Sequence, residues 1–149
     1  MQFTNIAKTL QAARENSGKK PEEIAELLGI SIPAYHDLEA FDDELPSSLS
    51  LKQVAQLFNV LKVDPAEILD ATWTGRPIDP YDFVNRIKSY LSNNRMTLKE
   101  FEDRVGWDIN QLIDDPLSLL NYNIEGMVDI SKELGIDAME VLQGVIALR

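Results

Sequence analysis

No cysteine occurs among the 149 residues, so disulfides, thiolate metal sites and a cysteine nucleophile are all excluded. A single histidine, His36, rules out a metal site built from several imidazoles. No apolar run approaches the roughly 20 residues of a membrane-spanning helix. The N-terminal MQFTNIAKTL lacks the charged-then-apolar order of a signal peptide, so a cytoplasmic location and no membrane contact are expected. Cations are scarce as well: 14 Lys and Arg stand against 25 Asp and Glu, a formal net charge of −11 and a pI near 4.4. The scarcity is greatest between Pro21 and Leu51, where eight carboxylates occur with no Lys or Arg. Non-specific affinity for DNA comes mainly from Lys and Arg displacing counterions at phosphates. This balance therefore favours either plain solubility or a basic protein partner over nucleic acid.

What is present reads as a folded chain, with 44% hydrophobic and 26% charged residues. Asn5 or Thr4 caps a first helix carrying Ile6, Leu10 and Ala13 at helical spacing up to Gly18. Pro21 opens a second helix with Ile24, Ala25, Leu27 and Leu28, and Gly29 closes it. A third runs from about Ile32 to Ala40, followed by a loop over Asp42, Asp43, Glu44 and Pro46. Ser50 caps a fourth helix with the stripe Val54, Leu57, Phe58 and Leu61, and a fifth covers Ala66 to Ala71. WTGRPIDP, residues 73–80, reads as a linker.

The second half then echoes the first. At an offset of 77, Ile6 pairs with Phe83, Leu10 with Ile87, Leu28 with Val105 and Gly29 with Gly106. Beyond the third helix the offset drops to 73, and LKVDPAEIL aligns with LGIDAMEVL, where Asp115-Pro116 shortens the second copy's third helix. Duplication follows as the expectation. The apolar tail Val141–Leu148 extends past the repeat, either across the first domain or as a dimer seam, with the former favoured.

The segments IAKTLQAAREN, PEEIAELLGIS, IPAYHDLEA and VDPAEIL together resemble the lambda-repressor-like (Xre-type) helix-turn-helix family over residues 6–69, and more weakly over 83–142. The implied fold is all-α, a tandem duplication of a five-helix domain: 1–72, a linker at 73–80, and a degenerate copy at 81–149 with a helical C-terminal extension. The resemblance places a structural ion pair at Arg14 and Glu39. It places the base-reading positions of the third helix at Ile32, Pro33, His36 and Asp37, and in the second copy at Ile109, Asn110 and Asp114. Readout of base edges needs paired donors and acceptors. Ile32 and Pro33 offer none, Asp37 faces a polyanion, and only Asn110 suits adenine.

Two functions remain. In the first, Glu22, Glu23, Glu26, Asp37, Asp42, Asp43 and Glu44 form an acidic strip for a basic protein partner, concretely a toxin held by an immunity protein or antitoxin. In the second, an Xre-type regulator contacts phosphates through Lys88, Arg95 and Lys99, although a solvated face is the commoner meaning of such charges. No enzyme, cofactor or metal is expected: His36 beside Asp37 reads as a surface histidine, and Asp42/Asp43 and Asp114/Asp115 lack a calcium-loop spacing. Trp73 is expected at the interface between the domains and Trp107 in the core; the chain is monomeric or a homodimer.

Overall fold

A computed structural model describes residues 4–68 and 75–148, and every regular element in them is helical. The chain divides into two compact units, residues 1–72 and 73–149. The reading of Trp73, and the end of the helix expected to reach Ala71, lie outside the described residues.

The first unit contains α1 (Ile6–Ser17), α2 (Pro21–Leu28), α3 (Ile32–Ala40), α4 (Glu44–Ser48), α5 (Leu51–Leu61) and α6 (Pro65–Ile68). Periodicity explains the packing. Ile6 and Leu10 of α1, Ile24 and Leu28 of α2, Tyr35 and Leu38 of α3, and Leu51, Val54, Leu57 and Phe58 of α5 are all buried. α1 packs on α3, α5 and α6, and α2 on α3 and α5. A Ser50–Gln53 capping box opens α5, and Gln53 Nε2 also donates to the Leu28 carbonyl at 2.9 Å, tying α5 to α2.

Two local expectations change. The loop expected over 42–46 is helical from Glu44, because a first turn tolerates Pro46. Ser47 and Ser48 hydroxyls donate back to the Asp43 and Glu44 carbonyls at 2.7 Å, and Leu45 is buried. Neither Thr4 nor the Asn5 side chain caps α1: Asn5 is left-handed (φ 61°) and its side chain makes no cap. The Asp42 carboxylate does so instead, accepting from Ala7 N at 3.0 Å across 35 residues.

The second unit contains α7 (Pro80–Asn93), α8 (Leu98–Val105), α9 (Asn110–Asp114), a 3₁₀ segment (Pro116–Asn121), α10 (Ile124–Leu134) and α11 (Ala138–Ile146). Phe83, Ile87, Phe101, Leu112, Leu119, Met127 and Ile130 form its core. Ile78 and Pro80, expected as linker, are buried in this unit. Ile78 is buried, its N–H donates to the Glu140 carbonyl at 2.9 Å, and Asp79 caps α7 by accepting from Asp82 N. Of the apolar tail, Val141, Leu142 and Val145 are buried on α11, which packs on α7 and α10.

Left-handed residues recur at the spacings found in the sequence: Gly18 (φ 72°) and Arg95 (φ 49°), Gly29 (68°) and Gly106 (78°), Lys62 (54°) and Gly135 (72°). A groove recurs with them. In the first unit it is about 1030 Å³ and is lined by Ala12, Ala13, Asn16, Leu61 and Val63 among others. In the second it is about 320 Å³, lined by Ser89, Tyr90, Asn93, Leu134 and Ile136 at the matching positions. A left-handed backbone costs a non-glycine residue about 1–2 kcal/mol, of which a cation at a helix C-terminus recovers about 0.3–1 kcal/mol. Lys62→Gly and Arg95→Gly should therefore each raise stability by about 0.5–1 kcal/mol in urea unfolding.

A cation-free helical face on the first unit

The two faces that α2 and α3 turn to solvent follow from what they bury. Burying Ile24, Ala25 and Leu28 leaves Glu22, Glu23, Glu26 and Leu27 outward as two i,i+4 rows. Burying Tyr35 and Leu38 leaves Ile32, Pro33, His36, Asp37 and Ala40 outward. The turn 29–31 joins the two helices, and Ser31 caps α3 by accepting from Ala34 N at 3.1 Å. All four first-unit positions that the resemblance assigns to base readout are therefore exposed, and they present Ile, Pro, His and Asp.

The carboxylates of this region fall into two groups. Glu39 pairs with Arg14 through Nε–Oε2 at 2.6 Å and Nη2–Oε1 at 3.1 Å, a bidentate bond between α1 and α3. The buried Tyr35 hydroxyl lies against this pair; burial first, and then the Glu39 carboxylate, raise its pKa. Asp42 holds the start of α1, and Glu23 accepts from Lys20 N at 3.2 Å. Glu22, Glu26, Asp37, Asp43 and Glu44 form no hydrogen bond or ion pair through their carboxylates among the described residues. Asp42 was expected to be a free member of the strip; it is half-buried and structural instead. Asp42→Ala should cost about 1 kcal/mol as a lost helix cap, whereas Asp43→Ala, one residue on, should be within about 0.5 kcal/mol of wild type in thermal unfolding.

The second unit spends its carboxylates differently. Asp82 pairs with Arg86, Asp103 with Lys99, and Glu133 with both Tyr90 (2.7 Å) and Arg104 (3.1 Å). Asp129 accepts from the Trp107 indole at 2.9 Å, Glu102 from Ile109 N, and Asp108 from Asn110. Asp79, Glu100 and Asp137 serve as or support caps. The Tyr90 hydroxyl and the Arg104 guanidinium hold the Glu133 carboxyl below the usual range. A depressed carboxylate stabilises the fold above its unfolded pKa, and that contribution is lost as pH falls through its folded pKa. Glu133→Gln should therefore flatten the acid limb of the second unit's stability curve.

The corresponding base-reading positions of the second unit are not brought together for readout. Ile109 is fully buried. The Asn110 side chain is turned back onto Asp108 at 3.2 Å, and Asp114 is exposed but acidic. Of the proposed phosphate contacts, Lys99 is engaged with Asp103 at 3.3 Å, while Lys88 and Arg95 are exposed and make no ion pair among the described residues. Trp107 is half-buried rather than fully core. Its ring packs on Gly126 and lies 6.3 Å from Tyr122, whose hydroxyl donates to the Asp108 carbonyl.

Two contributors were not apparent from periodicity. Leu27 and Phe41 are 47% and 56% exposed, although the first falls in an apolar helical run and the second follows one. Among the described residues no group of three or more His, Asp or Glu is arranged to hold a metal ion, and no helix is long and apolar enough to cross a membrane. No protein-family model, curated protein or solved structure matches the chain.

Proposed function

We propose that this chain is a non-enzymatic binding protein that uses the outer face of α2, α3 and α4 to bind and neutralise a basic protein, as an immunity protein or antitoxin does. The observation that carries the reading is the set of unspent carboxylates. Five of the eight acids between Pro21 and Leu51 have no partner among the described residues, and no Lys or Arg lies in that stretch to supply one. Nine of the thirteen acids in residues 73–149 are used within their own unit, although the net charges, −6 (6 basic, 12 acidic) and −5 (8 basic, 13 acidic), are nearly equal. Unpaired like charges within a Debye length of about 10 Å repel one another, and a cationic surface relieves that repulsion while steering fast association.

The scaffold in this reading is a duplicated lambda-repressor-like helix-turn-helix unit. The recurrence of left-handed residues and of the groove at offsets 77 and 73 supports it. The regulator reading draws on Lys88 and Arg95, which make no ion pair among the described residues, but burial of Ile109 and the Asn110–Asp108 bond leave its second unit without a base-reading side chain.

The test is a triple reversal, Glu22→Lys, Glu26→Lys and Asp37→Lys, which spares the structural Asp42, Glu23 and Glu39. Affinity for a Lys/Arg-rich protein at about 50 mM salt should fall at least 100-fold with helical content unchanged. Equal binding by the variant, or micromolar binding of duplex DNA by the wild type, would overturn the proposal.

A further inference from the structure

The large apolar side chains that the first unit leaves exposed among its described residues are Leu27, Ile32 and Phe41. All three fall inside the cation-free stretch. Their order along the chain is informative. Glu22 and Glu26 precede Leu27; the turn 29–31 separates Leu27 from Ile32; Asp37 follows; and Asp43 and Glu44 come just after Phe41. The carboxylates of Glu22, Glu26, Asp37, Asp43 and Glu44, without a partner among the described residues, thus flank the group of three along the chain. Leu27 shares a row of α2 with Glu23, and Ile32 shares a row of α3 with His36 and Ala40, next to the Pro33–Asp37 row. Single exposed apolar residues are ordinary on protein surfaces. Exposed apolar residues on helices whose charged side chains, in the stretch 21–51, are all carboxylates are what an interface core with a charged rim requires.

We infer that this face docks a partner segment in which apolar side chains alternate with Lys or Arg, and that Leu27 and Ile32 are the anchoring contacts. This rests on the reading of the acidic face given above and adds a second component to it. Carboxylates alone select any polycation, loosely, and lose it as salt is added. Burial of Leu27 and Ile32 against apolar partner residues is insensitive to screening and is lost only when either side becomes polar. Pro33 at the second position of α3 and the Ser31 cap hold Ile32 on a fixed backbone, so little is spent on ordering the anchor.

Two synthetic peptides of equal length and charge test it by titration into the full chain at about 50 mM and 500 mM salt. One carries Leu between its lysines, and the other carries Ser at the same places. The leucine peptide should bind at least 10-fold tighter and keep measurable affinity at the higher salt. Leu27→Ser with Ile32→Ser should bring the two peptides to equal affinity, without unfolding, since both side chains are over 40% exposed. Equal affinity for both peptides with the wild type, abolished by the Glu22/Glu26/Asp37 reversal, would overturn this inference and leave the acidic-face reading standing. Failure of both peptides to bind at low salt would overturn both.

Discussion

Gly144→Ala is expected to destabilise the second unit by about 3 kcal/mol or more, a large effect for one added methyl. A Cβ at this position would lie 1.8 Å from the Ile78 carbonyl oxygen, 2.4 Å from its carbon and 2.9 Å from Asp79 N. In an ordinary helix interior the same change gains about 1 kcal/mol of helix propensity. Here the obstacle is backbone, held by the Ile78 N–H bond to Glu140 and by the buried Ile78 side chain, so it cannot rotate aside. Overpacking usually costs about 1–3 kcal/mol, and displacing this strand of chain also breaks the bond and exposes Ile78. Gly126→Ala makes the useful contrast. Its methyl would meet the Trp107 ring at 3.2 Å, where a half-buried indole can shift, and the expected cost is about 1 kcal/mol or less. Urea unfolding of the two variants, followed by circular dichroism, separates the cases; similar midpoints for both would contradict the packing described.

Glu39→Ala is the second large effect, expected at about 3 kcal/mol in the first unit. The Arg14 and Glu39 side chains are only 13% and 10% exposed, so the change leaves a guanidinium largely desolvated beside the buried Tyr35 hydroxyl. Breaking such a pair from one side costs about 3–5 kcal/mol, whereas replacing both members with apolar residues of similar size is often close to neutral. Arg14→Met combined with Glu39→Leu should therefore recover most of the loss. A double variant as unstable as Glu39→Ala would mean that the pair contributes more than mutual compensation. Because Arg14 also donates to the Lys19 carbonyl at 3.1 Å, recovery should fall short by about 1 kcal/mol.

These two sites mark the boundary of what sequence patterning conveys. Helix order, the α2–turn–α3 arrangement and the Arg14–Glu39 pair follow from period and from family-like spacing, because each depends on residues within one helix or on a familiar register. The Gly144–Ile78 contact does not. WTGRPIDP has the composition of a linker, and nothing within it signals that a glycine 66 residues later leaves room for its backbone. Asp42 was legible as an acid but not as the cap of a helix beginning 36 residues earlier, because its partner is an anonymous backbone N–H. Asn110 likewise has the right chemistry for adenine, and only the fold turns it onto Asp108. Leu27 misled in the other direction: it continues an apolar run, yet the α2 surface that buries Ile24 and Leu28 is too narrow to include it.

The most direct test of the binding face is amide chemical-shift mapping of the ¹⁵N-labelled full chain on titration with the leucine–lysine peptide. Both units carry almost the same net charge, so a general attraction between acid and base would move amides in both. Perturbations concentrated between residues 22 and 44, with the rest of the chain still, are the result expected here. Shifts spread evenly over the carboxylates of both units would show that the unpaired acids of α2, α3 and α4 form no site.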